Sequence, residues 1–325
     1  MALRLGTRLH PAGRGVIADR TMASKQLLTP TSISGVFTAL VTPFSPDAAS
    51  VDVKALEALV DWQIESGVSG LVACGTTGEA PTLSESELCL VVQKTVQVAR
   101  GRVPVVAGAG SFSTHKTIAT SQAAIEAGAD GVMIVMPYYS KPSQAGLVSH
   151  VTQIAAAVKA PIILYNIPGR TGVDLSADAT ASICERAPNV IGIKDATGNV
   201  LRCQELVRRL GDRLTVMSGD DALTLPMMAC GARGLISTTS NLLPAQVSQV
   251  CRLALEGKWT EARRAHLALL PVYEAMFCEP SPGPVKAALA KKGRVQNVLR
   301  PPLVPVSDGA HTRIIDTVVK YEAGA

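Results

Sequence analysis

The sequence has few aromatic residues, no long apolar run and little net charge. Phe, Trp and Tyr make up only 3% of the 325 residues, so each one is a candidate for a specific role. No stretch approaches ~18 consecutive apolar residues, and we therefore expect no membrane span. The net charge is +5, much of it within the first 25 residues, which leaves no basic face for nucleic acid.

The seven cysteines are odd in number and widely scattered, and none forms a CxxC pair or has a His at zinc-site spacing. This pattern argues against a disulfide framework and against a zinc site. It favours a reducing compartment, so we expect a cytoplasmic protein. No Asp/His cluster indicates a divalent metal, and no metal site is predicted.

The first 31 residues are rich in Arg and nearly free of acidic residues. They lack the apolar core of a secretory signal. A transit peptide is one interpretation of this composition. We favour a disordered basic leader, or sequence upstream of a true start at Met22.

From Gly35 onward one unit recurs every ~20–35 residues: a short apolar run, a turn and an amphipathic helix. Runs that are apolar throughout are typical of parallel strands covered on both faces. The predicted strands are 36–41, 70–73, 103–107, 131–135, 161–164, 190–193, 214–217 and 234–236. Helix starts are marked by Asp52 and by the capping box Ser84-Glu-Ser-Glu87.

Eight such units predict an α/β fold, a (β/α)8 TIM barrel over residues 32–243. A doubly wound sheet is the alternative, but no GxGxxG follows the first strand. Residues 244–325 predict helices without strands, as a C-terminal helical appendage for packing or assembly.

Lys194 follows the apolar run 190–193, which is typical of a buried strand. An ammonium buried without a partner is costly, and loss of its proton is the usual relief. A neutral amine can attack a carbonyl carbon and form a Schiff base. Taken alone, a lysine with its head in solvent is the simpler interpretation. The other strand ends favour the nucleophile.

Barrel enzymes carry their sites at the carboxyl ends of the strands. The second strand ends in Gly75-Thr-Thr-Gly-Glu79, where backbone N–H groups and hydroxyls suit a carboxylate. The fifth ends in Tyr165, a candidate proton relay, and Arg170, a planar fork for a second carboxylate. Of the adjacent Tyr138 and Tyr139 after the fourth strand, at most one is expected to face the mouth.

An amine nucleophile, proton-transferring hydroxyls and two anion sites together indicate a metal-free Schiff-base aldolase or lyase. Its expected substrate is a carbonyl compound that bears a carboxylate, together with a second acidic or carbonyl reactant. A barrel that only binds a keto acid, as a sensor or assembly protein, is the alternative from a different class.

The sequence contains five motifs that are informative together: Gly75-Thr-Thr-Gly-Glu79, Pro137-Tyr-Tyr139, Tyr165-Asn-Ile-Pro-Gly-Arg-Thr-Gly172, Gly192-Ile-Lys-Asp-Ala-Thr-Gly198 and Ser218-Gly-Asp-Asp221. They closely resemble those of the dihydrodipicolinate synthase (4-hydroxy-tetrahydrodipicolinate synthase) family, which belongs to the superfamily of N-acetylneuraminate lyase and class I aldolases. The resemblance runs from about Gly35 to the C-terminus.

The resemblance implies condensation of pyruvate with L-aspartate 4-semialdehyde, in lysine and diaminopimelate biosynthesis, through an imine on Lys194 and without a cofactor. It implies that Thr76 and Thr77 hold the pyruvate carboxylate, and that Thr77, Tyr165 and Tyr139 relay protons.

The same resemblance implies that Arg170 binds the carboxylate of the semialdehyde, with Gly219 and Ile236 lining the site through their backbones. It further implies a dimer in which Tyr139 comes from the neighbouring subunit, usually paired into a homotetramer. N-acetylneuraminate lyase, keto-deoxy-sugar aldolases and hydroxy-oxoglutarate aldolases share the lysine and the barrel. They differ at Thr76 or at the motif that contains Arg170.

Many members of the family are inhibited by lysine bound at the dimer interface. The resemblance places six residues of this chain there: Pro81, Glu85, Leu88, Phe112, Lys116 and Tyr138. Lys116 replaces what is often a carboxylate facing the effector's ammonium, and like charges at about 4 Å repel by several kcal/mol. Leu88 and Phe112 offer no hydrogen bonds, and Glu85 compensates only in part. We therefore expect no functional lysine site.

Overall fold

The computed structural model, which describes residues 28–324, contains eight parallel strands that pair in chain order and close into a barrel. This confirms the predicted (β/α)8 fold. The strands are β1 Gly35–Ala39, β2 Gly70–Ala73, β3 Val105–Gly108, β4 Gly131–Val135, β5 Ile162–Asn166, β6 Val190–Asp195, β7 Thr215–Ser218 and β8 Gly234–Ser237.

Helices follow the strands on the outside of the barrel. They are α1 Val53–Glu65, α2 Glu85–Ala99, α3 Thr114–Glu126, α4 Gln144–Ala157, α5 Pro168–Thr171, α6 Ala177–Arg186, α7 Val200–Leu210, α8 Thr224–Ala229, α9 Pro244–Leu255, α10 Trp259–Met276, α11 Gly283–Lys291 and α12 Asp308–Glu322. The capping box is present at α2: Ser84 Oγ accepts from the Glu87 N–H, and the Glu87 carboxylate accepts from the Ser84 N–H.

Two strands, β2 and β4, have the predicted bounds. Each of the others differs from its prediction by one or two residues at one or both ends. The difference at β6 affects the site. The ladder with β5 continues through Tyr165 opposite Lys194 and Asn166 opposite Asp195, so Lys194 lies within the strand instead of beyond it. Strand geometry therefore fixes the direction of its side chain.

The barrel is filled by apolar side chains from alternate positions of its strands. At its base the Phe37 ring occupies the space beside Gly70, where a Cβ would lie 2.3 Å from a ring carbon. This interior cluster is separate from the larger core between strands and helices. Its members include Phe37, Val72, Val106, Met133, Ile163, Met217 and Ile236.

Residues 28–31, which we assigned to the leader, are packed against the barrel. Leu28 is buried in the interior cluster, and the Thr215 hydroxyl donates to the Pro30 carbonyl. The apolar side chain of Leu28 thus covers the base of the barrel. The rest of the predicted leader, residues 1–27, lies outside the described residues.

The C-terminal region is helical as expected, but α9 belongs to the barrel wall, because it follows β8 and packs against β1. The helical addition therefore consists of α10, α11 and α12. Gly257, at φ +76°, lies between α9 and α10 and separates the two helices. Between residues 28 and 324 no helix combines the length and apolarity that crossing a membrane requires.

Candidate active site

Lys194 and Tyr165 lie side by side at the mouth of the barrel. They are register partners on β6 and β5, and the Lys194 Nζ is 4.2 Å from the centroid of the Tyr165 ring. Both side chains are buried, with 5% and 4% of their surface exposed. The predicted nucleophile and the predicted proton relay are thus brought into contact.

No carboxylate within the described chain pairs with Lys194. The adjacent Asp195 lies on the opposite face of the strand, as alternation requires. There its carboxylate accepts from Arg202 Nε at 2.7 Å and from the Thr197 hydroxyl at 2.6 Å. The Asp195 carboxylate is therefore ion-paired outside the barrel lumen. The amine of Lys194 lies against an aromatic ring, with no counter-ion among the described residues.

The turn after β2 presents the two predicted carboxylate-binding threonines. Thr77 is buried, and its hydroxyl lies 3.2 Å from the hydroxyl of Thr238, which follows β8; Thr76 is half-buried. The turn is closed by a hydrogen bond from the Gly78 N–H to the Gly75 carbonyl. Its position relative to β1 is fixed by the Thr42 hydroxyl, which donates to the Gly78 carbonyl at 2.7 Å.

Arg170 lies in the one-turn helix α5 and is exposed, with no ion pair among residues 28–324. The segment that follows is fixed by Asn166 at the end of β5, whose amide group donates to Asp174 and accepts from the Leu175 N–H. An unpaired guanidinium on a supported loop is available to an anionic ligand.

Gly219 and Ile236 lie at the ends of the last two strands. The Gly219 N–H donates to the Asp195 carbonyl at 2.7 Å, and a Cβ at Gly219 would lie 2.7 Å from that of Ala196. Glycine thus permits the ends of β6 and β7 to approach. Ile236 is buried in the same cluster as Tyr165.

The two tyrosines after β4 point in different directions, as expected. Tyr138 is half-buried and packs edge-to-face on Phe112, with ring centroids 5.6 Å apart. Tyr139 has φ +73°, and 92% of its surface is exposed, so it makes almost no contact with its own chain. Within this chain Tyr139 does not reach the buried pair of Lys194 and Tyr165.

The six positions assigned to the regulatory site fall into two groups. Leu88 is buried in the core beneath α2, and Tyr138 packs on Phe112. The exposed members, Pro81, Glu85, Phe112 and Lys116, belong to loops and helix starts on one side of the barrel. Neither Glu85 nor Lys116 makes an ion pair with another described residue.

A buried carboxylate that we had given no role lies beside the threonines. Asp221 accepts hydrogen bonds from the Ser237 hydroxyl and from the Thr238 N–H, and it is 1% exposed. Burial raises the pKa of Asp221 to about 6, although these two hydrogen bonds oppose the shift. By accepting from the Thr238 N–H, this carboxylate holds in place the residue whose hydroxyl contacts Thr77.

Three further residues near the site also escaped prediction: Thr238, Lys286 and Arg300. Lys286 is fully buried and ion-paired with Glu79, and Arg300 contacts the same carboxylate through its backbone N–H. The available signal for Lys286 was a lysine enclosed by apolar residues in Val285-Lys-Ala-Ala-Leu289. The described residues contain no group of three or more His, Cys, Asp and Glu side chains placed to hold a metal ion.

The fold and site define a (β/α)8 barrel protein with a buried amine at the carboxyl ends of its strands. The model of the Dihydrodipicolinate synthetase family matches residues 32–320. The chain belongs to this family.

Individual relatives support membership of this family. The chain is 62% identical to a 4-hydroxy-tetrahydrodipicolinate synthase of Sorangium cellulosum, over 90% of this chain and 97% of the relative. It is 45% identical to the same enzyme of Nitratidesulfovibrio vulgaris, over 87% and 96%. The solved 4-hydroxy-tetrahydrodipicolinate synthase of Methylacidiphilum fumariolicum superposes with a TM-score of 0.88 at 43% identity, covering 90% of this chain and 96% of that one.

Asp221 predicts a pH-dependent stability. The pKa of Asp221 is raised from 3.8 to about 6 in the folded protein, so the protonated carboxyl stabilises the folded state. This contribution is fully present below pH 3.8 and is lost as the pH rises through about 6. Urea unfolding should show the parent losing about 2–3 kcal/mol relative to Asp221→Asn between about pH 4 and pH 7. Asp220, Cys251 and Tyr273 are the ionisable neighbours, and all three are retained in the variant. Parallel pH curves for the two proteins would contradict this assignment.

Proposed function

We propose that Lys194 is the nucleophile with which this chain, a lyase of the dihydrodipicolinate synthetase family, condenses pyruvate with L-aspartate 4-semialdehyde to give 4-hydroxy-tetrahydrodipicolinate. The observation that carries the proposal is the contact between the buried, unpaired amine and Tyr165, 4.2 Å from amine to ring centroid. The product belongs to lysine and diaminopimelate biosynthesis.

In the first step the Lys194 Nζ adds to the ketone carbon of pyruvate, and water leaves as the imine forms. The amine lies buried beside Tyr165 with no carboxylate partner among residues 28–324, which leaves it open to the ketone carbon. The pyruvate carboxylate binds at the turn after β2, to the hydroxyls and N–H groups of Thr76 and Thr77. Hydroxyl and backbone N–H groups are the donors that such an anion needs.

The protonated imine then acts as the electron sink, so a proton leaves the methyl carbon and an enamine forms. This carbon attacks the aldehyde, a carbon–carbon bond forms, and the former carbonyl oxygen takes up a proton to become a hydroxyl. The amine of the semialdehyde finally displaces Lys194, which closes the six-membered ring and regenerates the lysine. The covalent imine supplies the electron sink, and we assign no further cofactor.

Thr77, Tyr165 and Tyr139 relay the protons of these steps, with Tyr139 supplied by a second copy of the chain. The 92% exposure of Tyr139 supports this assignment, because a large aromatic ring that its own chain leaves uncovered is available to a partner. We infer a dimer as the active unit and a pair of dimers as the assembly. One solved relative, described as a monomeric dihydrodipicolinate synthase variant, has a TM-score of 0.87 at 37% identity over 90% of this chain.

The seven cysteines are free thiols, which supports the proposed cytoplasmic location.

Replacing the nucleophile should abolish the reaction. In a coupled assay with both substrates, Lys194→Ala should show no condensation, because Lys194 carries the one buried lysine amine of residues 28–324 that has no carboxylate partner. Lys159→Ala, which changes an exposed lysine at the base of the barrel, should retain parental rates. Condensation by a folded Lys194→Ala variant at more than trace rates would refute the proposal.

Arg170→Ala should weaken the second substrate. Loss of hydrogen bonds between charged groups should raise KM for the semialdehyde about 10- to 100-fold, with KM for pyruvate little changed. The matched control is Arg186→Ala, an exposed arginine at the end of α6. The assignment of Arg170 fails if semialdehyde kinetics remain parental while sugar acids are turned over well.

We further propose that lysine does not regulate this enzyme, because Lys116 places a cation where the effector's ammonium would bind. A solved relative from Cyanidioschyzon merolae, 34% identical over 90% of this chain with a TM-score of 0.87, is described with lysine bound. Millimolar L-lysine should leave the steady-state rate of the present chain unchanged. Strong inhibition at that concentration would contradict the prediction.

A further inference from the structure

The turn that carries Thr76 and Thr77 ends in a carboxylate that the fold buries completely. The side chains of Glu79 and Lys286 are both 0% exposed, and their charged atoms are 2.5 Å apart. Lys286 also donates to the Val298 carbonyl at 2.8 Å, and its Nζ is 4.3 Å from the centroid of the Phe44 ring. Glu79 follows β2 whereas Lys286 lies in α11, so the pair joins the site to the helical addition.

The second carboxylate oxygen of Glu79 is bound as well. It accepts from the backbone N–H of Arg300 at 3.0 Å. The Arg300 side chain is itself fixed, because its guanidinium binds both carboxylate oxygens of Glu87 at 2.8 and 2.6 Å. Glu79 is therefore held at both oxygens by the segment that follows α10.

The backbone at Glu79 explains why such anchoring is needed. Its φ is +55°, in the left-handed region that non-glycine residues disfavour, and it closes the turn by donating from its N–H to the Thr76 carbonyl at 3.1 Å. A conformation of this kind persists only where the surrounding structure fixes it. Thr77 lies two residues earlier in the same turn, so rotation at Glu79 would displace the hydroxyl and N–H groups of the threonines.

We propose that Glu79, clamped by Lys286 and by the Arg300 N–H, is a positioning residue that holds the Thr76–Thr77 turn in the geometry that binds pyruvate. The inference rests on the proposed function, since it takes Thr77 as the residue that contacts the substrate. Stability alone is a weak explanation for the pair, because apolar side chains of similar volume often replace a buried ion pair without loss of stability. Glu79 lies at the strained end of the turn, and the need to hold that backbone in place explains why a charged pair is found here.

Activity and stability can be separated with the double variant Glu79→Met/Lys286→Met. It removes both charges while keeping apolar volume, so no single charge is left buried. We expect a urea midpoint close to that of the parent, with kcat/KM for pyruvate lowered about 100-fold through both a higher KM and a lower kcat. KM for the semialdehyde should stay parental, because Arg170 lies on a separate loop.

Glu79→Gln keeps the shape of the side chain but offers only one acceptor oxygen to the two donors. It should also raise KM for pyruvate while leaving KM for the semialdehyde parental, with a smaller increase than in the double variant. If the double variant does not fold, Glu79→Gln provides the test. Lys292→Met is the control, since it removes an exposed ion pair with Glu322 from the same helical addition. Its kinetics should be parental.

The proposal is overturned if the folded variants keep parental kcat and KM for pyruvate. It is also overturned if activity falls only with the folded fraction, while both KM values remain unchanged. Failure of the proposed function is a distinct result, because the parent itself would then show no condensation in the same assay.

Discussion

The absence of a counter-ion at Lys194 is the constraint on which the account of this site depends. Two lysines in the described chain are buried, and their surroundings differ in one decisive respect. Lys286 is paired with Glu79, whereas Lys194 has an aromatic ring and no carboxylate beside it. A carboxylate beside Lys194 would hold its amine in an ion pair, and the lack of one in the described lumen leaves the amine open to a ketone. Chemical reactivity thus follows from where the protein places its acidic groups.

Strand geometry separates the charges in this way. Lys194 and Asp195 are adjacent in sequence, but alternation directs them to opposite faces of β6. The outward carboxylate of Asp195 is ion-paired with Arg202, and the inward amine of Lys194 has no carboxylate partner among the described residues. Closure of the barrel then brings the ends of β2 and β5 to the same mouth, where we propose that Thr77 and Tyr165 contact the substrate.

The barrel was predictable, as was the placement of Lys194, Tyr165 and the Thr76–Thr77 turn at its strand ends, because their signals are local. An apolar run that ends in lysine, a glycine-flanked pair of threonines and a capping box each occupy a few consecutive residues. Lys286 was not predictable as a partner of Glu79, since 207 residues separate them and only the folded chain brings them together. Asp221 was visible in its motif, but its raised pKa follows from burial, which only the folded chain produces. The role that we propose for Tyr139 requires a second copy of the chain, and a single sequence does not place one.

The most direct test is to treat the protein with pyruvate and borohydride and then to map the reduced adduct by peptide mass spectrometry. The account predicts a single modified residue, Lys194, with Lys286 unmodified because its amine is held by Glu79 and the Val298 carbonyl. An adduct on Lys286 or on a surface lysine, or the absence of any adduct on Lys194, would contradict it.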